Sequence, residues 1–219
     1  SQNNSENYSE FYDINKLPDD IFVEPGIKAP NRVGFSKYAS YLNTSFEKKY
    51  GRPLVLAMSA DLADSTNISG FAKGYGSEND KGLYDKTKNT KSPLFPQGIT
   101  EFTNAGMMAG AATVNFSKNP YDGFNGFFGA ASTYGSFSYL KYGPLRLFSQ
   151  IAQDSDLKDG KVIWVVGHSG PETAEDSRTH FGIFAPGVTQ LFPEGHIINI
   201  HPWEHNEVAP SLSAALNTE

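Results

Sequence analysis

Apolar positions along this chain alternate between two patterns. Over Asn31–Tyr50, Val33, Tyr38, Tyr41 and Phe46 fall roughly on one face of a 3.6-residue repeat, and Gly51 follows. That spacing predicts a helix. Residues 53–58 (PLVLAM) form instead a short continuous apolar run, the pattern of a strand buried on both faces. Residues 161–167 (KVIWVVG) give the clearest such strand, and 196–200 (HIINI) give another, with a helix expected before it. An extended approach at 94–97 ends at Gly98 and leads into a predicted helix over 101–116. Its small residues (Ala105, Gly106, Ala109, Gly110, Ala111, Ala112) suit close packing, because nothing larger than a methyl group separates the backbones. Helices are also expected over 145–151 and about 204–217. Strands alternating with helices predict an α/β fold, a mostly parallel sheet covered by helices on both faces.

The remaining segments are polar or irregular. Residues 1–16 read as a polar tail, and 17–30, with three prolines, as an arm lying on another surface. Together they make a linker or arm over 1–30, ahead of one domain over 31–219. Residues 63–91 form a long loop rich in Gly, Lys and Asp, of the kind that is functional or disordered. The aromatic residues of 120–143, among them Phe127, Phe128, Tyr134 and Phe137, suit either a core or the wall of a flat ring site.

Charge and composition exclude several classes. A net charge of -6, with no block of like charge, argues against a nucleic-acid or anionic-membrane partner. The absence of cysteine removes disulfides, thiolate metal sites and thiol catalysis. No run is long and apolar enough to span a bilayer and no leader pattern opens the chain, so cytoplasm is the default expectation. The first residue is Ser1 rather than Met, which reads as a processed or excised segment of something longer.

In parallel sheets, ligands bind beyond the carboxyl ends of the strands. Asp61, Glu101, His168 and His201 all fall just past predicted strand ends or extended approaches. Glu101 lies in the first turn of its helix, between Ile99 and Phe102. It either faces water or is a carboxyl group among apolar neighbours; burial there would favour a proton donor or a shared proton. The segment from His168 to His180 gathers two imidazoles and three carboxylates, and His201 and His205 follow. Four readings stand: a metal site without a recognised ligand spacing, a hydrolase lacking its G-x-S-x-G elbow, a solvated loop, or a site for a polyol.

Four segments, in order, resemble the central domain of transketolases. Ser59-Ala60-Asp61-Leu62 is similar to the family's SADL segment, and Gly98-Ile99-Thr100-Glu101-Phe102 to its GIREH. Residues 162–168 (VIWVVGH), followed by Glu175, Asp176, Thr179 and His180, resemble its strand, H-D-S loop and E-D-G-P-T-H motif. His201-Pro202 with Glu207 resembles R-P-A-D-x-x-E. The resemblance covers about Arg32 to the end and concerns the pyrimidine-binding (Pyr) domain alone.

The resemblance implies transfer of a two-carbon ketol unit between ketose and aldose sugars with thiamine diphosphate. It implies that Glu101 hydrogen-bonds the cofactor's aminopyrimidine, and that Asp61, Tyr134 and Phe137 lie at the cofactor. His168 and His180 would contact the sugar and assist proton transfers, and Asp176 would read a donor hydroxyl. Leu140 replaces a third aromatic, and extra residues before Arg146 leave Phe127 or Phe128 as alternatives. The family's G-D-G loop, which holds the diphosphate and Mg²⁺, has no counterpart in this sequence. The expectation is a chain carrying half the cofactor pocket, inactive alone, completed by a diphosphate-binding domain or subunit, in an enzyme that is a homodimer when whole. No metal ligand is expected in the chain itself.

GIREH has become GITEF, and the family's phosphate-binding arginine is His201. An imidazole does not replace a bidentate guanidinium. The sugar tail would then be something other than a phosphate, for example a sulfonate, or be bound by Arg178 or Arg32. A related thiamine enzyme, and a pairing module without catalysis, are the alternatives; a metal-dependent hydrolase is the outsider.

Overall fold

Helix α1 spans Asn31–Tyr50, within the limits its apolar face predicts, and stops where Gly51 turns left-handed at φ 73° and donates to the Glu47 carbonyl. It opens a computed structural model that describes residues 7–76, 82–116, 126–154, 160–167 and 185–218. Four parallel strands follow: β1 (Val55–Ser59), β2 (Leu94–Phe95), β3 (Phe128–Tyr134) and β4 (Val162–Gly167), in the spatial order β2-β1-β3-β4. Helix α2 (Glu101–Ala112) joins β2 to β3, and α3 (Tyr142–Gln153) lies between β3 and β4. A short α4 (Ala185–Val188) and α5 (His205–Leu216) complete the described chain.

Alternation along the strands divides the core into two sides. Val55, Ala57, Phe128 and Ala130 face α1 and α5, packing with Tyr38, Leu42, Phe46 and Val208. On the opposite face Met58 and Ala131 meet Met108 of α2, while Ala105, Ala109 and Leu145 pack with Val162 and Trp164. The expected α/β sheet with helices on both faces is therefore present.

The small residues of α2 divide between its two faces. Ala105, Ala109 and Ala112 are buried against the sheet, whereas Gly106 and Gly110 are exposed. The close approach comes from the strand: a Cβ on Gly129 would lie 2.5 Å from the Met108 carbonyl oxygen.

Three expectations change. β3 occupies the middle of the aromatic-rich segment and is a central strand. Its small residues (Gly129, Ala130, Ala131) give no period that separates strand from loop. Residues 196–200 form no strand: the segment follows Gly195 at φ 80°, and Ile198 is half exposed beside α5. Within the long loop, a 3-10 turn at Ile68–Ala72 buries Ile68 and Phe71.

Asn43 of α1 satisfies four backbone groups from inside the core. Its amide donates to the carbonyls of Val55 and Phe71 (2.9 Å each), and its oxygen accepts from the N–H groups of Leu54 (3.1 Å) and Val55 (2.8 Å). Residues 7–30 run along α1 and α5, with Phe11, Tyr12 and Ile21 in the core. Arg52 donates to the Tyr8 hydroxyl at 2.8 Å, and that hydroxyl donates to the Gly126 carbonyl at 2.7 Å.

Candidate functional site

The winding reverses between β1 and β3, since β2 follows β1 on one side and β3 lies on the other. Connections leave the carboxyl ends of these two strands in different directions, which opens a crevice of the kind that receives ligands in parallel sheets. Both strand ends there carry hydroxyls. Ser132 donates to Ser59 at 2.8 Å, the Thr66 hydroxyl lies 2.9 Å from Ser132, and Ser59 accepts from the Leu62 N–H at 3.1 Å. These buried bonds fix the loop after β1, the one that presents Asp61.

Asp61 itself is exposed, with φ 61°. Few side-chain-bearing residues occupy this left-handed region, and aspartate is among those that tolerate it. Backbone strain at a strand end is a mark of functional sites.

Glu101 is 4% exposed at the first position of α2. Its neighbours do not enclose it: Ile99 is 75% and Phe102 65% exposed. Successive helical residues point about 100° apart, so the flanking side chains turn away and the burial comes from tertiary packing. The wall is β3 and the turn Gly135–Lys141, both packed on α2. Thr133, wholly buried, donates to Glu101 Oε1 at 3.0 Å. The helix N-terminus adds favourable potential for the carboxylate.

A second buried charge lies in the turn packed on α2. Lys141 has no exposed surface, and its Nζ lacks a hydrogen-bond partner among the described residues. Burial pushes its amine down to about 8, and the Glu101 carboxylate pulls it partly back. One helical turn from Glu101, Asn104 Nδ2 is likewise buried and without a partner among the described residues, as is Ser136 Oγ. These atoms lie on α2 and in the turn packed against it; unmatched buried polar atoms call for an explanation, and a polar ligand is one. An aminopyrimidine, which offers both donors and acceptors and a flat face, fits such a set.

Tyr134 ends β3, and its hydroxyl donates to Ser65 Oγ at 3.0 Å. Its ring lies over the carboxyl end of β4, where a Cβ on Gly167 would come within 3.4 Å of Tyr134 Cδ1. Phe137 is half-buried in the next turn. The fold thus gathers Asp61, Glu101, Tyr134 and Phe137 around the carboxyl ends of β1 and β3 and the start of α2.

Other candidates fall elsewhere. His168, Asp176, Arg178 and His180 lie outside the described residues. His201 is exposed in the irregular segment before α5, so no strand end presents it. His205 is a buried structural residue: its two ring nitrogens lie 3.3 Å and 2.9 Å from the carbonyl oxygens of Pro30 and Ile21. Glu207 closes the start of α5 by accepting from the Trp203 N–H at 2.7 Å. Among the described residues no group of three His, Asp or Glu side chains could hold a metal ion. Among them, too, no helix is long and apolar enough to cross a membrane.

The sequence reading missed Thr133, Ser132 and Lys141, and named Ser59 only within the SADL-like segment. The one signal for the first two was a pair of hydroxyl residues ending a run of small apolar ones, Ala130-Ala131-Ser132-Thr133. Nothing marks Lys141 as buried, because lysine is almost always exposed.

Compared with known families, residues 48–219 match the model described as "Transketolase, pyrimidine binding domain". A search of curated proteins returns no match.

Proposed function

The chain belongs to the transketolase pyrimidine-binding domain family, and from that premise we propose that it supplies the pyrimidine half of a thiamine diphosphate site in a transketolase-like enzyme. The observation that carries this reading is Glu101: a buried carboxylate, bonded by Thr133, at the crevice where the winding reverses. Thiamine diphosphate, when bound, supplies the carbanion chemistry that a two-carbon transfer needs. Glu101 holds a proton against a ring nitrogen of the aminopyrimidine, and its burial keeps water from competing for that proton. Tyr134 and Phe137 wall the ring, and Asp61 sits at the rim.

His168, Asp176 and His180 bind the sugar's hydroxyls, and the two imidazoles relay protons to and from them. His201 and Arg178 meet the far end of the substrate. The diphosphate and Mg²⁺ are held by a separate domain or subunit, so the chain alone binds the cofactor weakly and does not turn over. The whole enzyme is a cytoplasmic homodimer acting on ketose and aldose sugars. His201 in place of the family's arginine favours a second reading, a related thiamine enzyme whose sugar carries a group other than phosphate, such as a sulfonate.

The test is ketol transfer by this chain reconstituted with a diphosphate-binding partner. Glu101→Gln should lower kcat at least about 100-fold while leaving the circular dichroism spectrum unchanged. Undiminished transfer by that variant would overturn the assignment.

A further inference from the structure

The outward side of α2 is not built for water. Its exposed positions are Phe102, Thr103, Gly106, Met107 and Gly110, and none of them is charged. A helix that faces solvent ordinarily carries charge there. Glycine is also, after proline, the poorest helix former. Nothing within the chain requires the two glycines: a Cβ on Gly110 would meet nothing within 4 Å, and one on Gly106 only Pro144, at 3.9 Å. One turn apart, they make a notch of the kind that lets a second backbone approach closely. The apolar surface continues onto α3. A Cβ on Gly143 would lie 3.3 Å from Phe102 Cε2, and Leu147 and Ile151 follow Gly143 at one and two turns. Ile99, Phe102, Met107, Leu147 and Ile151 are each at least two-fifths exposed. At roughly 200 Å² for a large side chain they leave roughly 500 Å² of apolar surface, about 1,000 Å² over a pair of such faces, which is the least that a stable interface buries.

We propose that this face pairs with its own image in a second copy of the chain, α2 against α2 across a two-fold axis, each Met107 seated beside the Gly106–Gly110 notch of the other copy. Two observations single out a second copy as the occupant. The face carries both projections (Phe102, Met107) and a hollow (Gly106, Gly110), so it is complementary to itself, as a two-fold contact must be. It is also uncharged in a chain of net charge -6, so identical faces meet without setting like charges against each other. The pairing names the contact of the homodimer proposed above and rests on that reading for the whole enzyme; pairing of this chain needs no cofactor. Glu101 is buried on the opposite side of α2, so the contact leaves it untouched.

Sedimentation equilibrium of the full chain, at concentrations up to about 100 μM, measures the pairing. The parent should be a dimer. Met107→Glu and Gly110→Gln should each weaken it at least about 10-fold. Gly110→Gln keeps the test open should Met107→Glu not fold, because glutamine suits a helix and the position has open space. Thr44→Glu makes the charge change of Met107→Glu at an exposed position of α1, across the sheet, and should leave the dimer intact. A parent that stays monomeric at the highest concentration, or a dimer that either folded α2 variant leaves unchanged, overturns the proposal. A monomeric parent whose binding to a diphosphate-binding partner is weakened by Met107→Glu overturns it too, and gives the face to that partner. Ketol transfer is a separate readout. A dimer sensitive to Met107→Glu, in a reconstituted enzyme indifferent to Glu101→Gln, retains the pairing and removes the thiamine reading.

Discussion

The Thr133 hydroxyl donates to Glu101 Oε1 at 3.0 Å, tying the end of a central strand to the first residue of the helix above it. Both side chains are buried, so neither can exchange the bond for water. Thr133→Val keeps the shape and removes the donor. It should destabilise the fold by about 1–3 kcal/mol, because a buried acceptor is left unsatisfied. The midpoint of urea unfolding measures this; an unchanged midpoint would show that the carboxylate is satisfied elsewhere.

Lys141 makes stability depend on alkaline pH. Its amine titrates near 8 in the folded chain, below the ordinary lysine value of 10.5. The unfolded chain therefore binds more protons between those values. The folded state carries the full penalty below about 8 and sheds it as pH rises toward 10.5. Lys141→Met should stabilise the chain at pH 7 by up to about 3 kcal/mol, at about 1.4 kcal/mol per pH unit. That gain should vanish by about pH 10.5. Urea titrations of parent and variant across this range test it, and a pH-independent difference would contradict it.

Gly129 lets α2 sit on the sheet. A Cβ there would lie 2.5 Å from the Met108 carbonyl oxygen, so Gly129→Ala must push the helix away. A loss of about 1–3 kcal/mol is expected, seen as a lower Tm. Gly98→Ala is the control: its Cβ would meet nothing within 4 Å, and its Tm should stay near that of the parent.

His205 clips the arm to the body through the carbonyls of Ile21 and Pro30. Its replacement by alanine should release residues 21–30 before the rest of the chain opens. Faster amide exchange confined to that segment is the expected signature, and exchange rising uniformly along the chain would argue instead for global weakening.

Much of this architecture is legible in the residues. The apolar face of α1 and the continuous runs of β1 and β4 announce themselves, because a helix period and a doubly buried strand are strong patterns. β3 hides because Gly129, Ala130 and Ala131 are small enough to serve as loop, helix or strand. What makes them a strand is pairing with β1 on one side and β4 on the other, which no local window contains. The strand expected at 196–200 fails for the converse reason: an apolar run forms a strand only if a neighbour pairs with it, and Ile198 faces water. At the site, Glu101 is readable by its place after Gly98. The side chain that bonds it, Thr133, lies 32 residues further on and comes to it through packing alone.

Asn43 spends every donor and acceptor of its amide on β1, the residue before it and the Ile68–Ala72 turn. A slide of α1 by a single residue would break all of those bonds together, so that side of the sheet behaves as a rigid chassis. α2 meets the other side through Ala105, Met108 and Ala109, the close approach of the Met108 backbone to Gly129, and the Thr133–Glu101 bond. The two faces of the sheet are thus held differently, one by hydrogen bonds that fix a register and the other by shape.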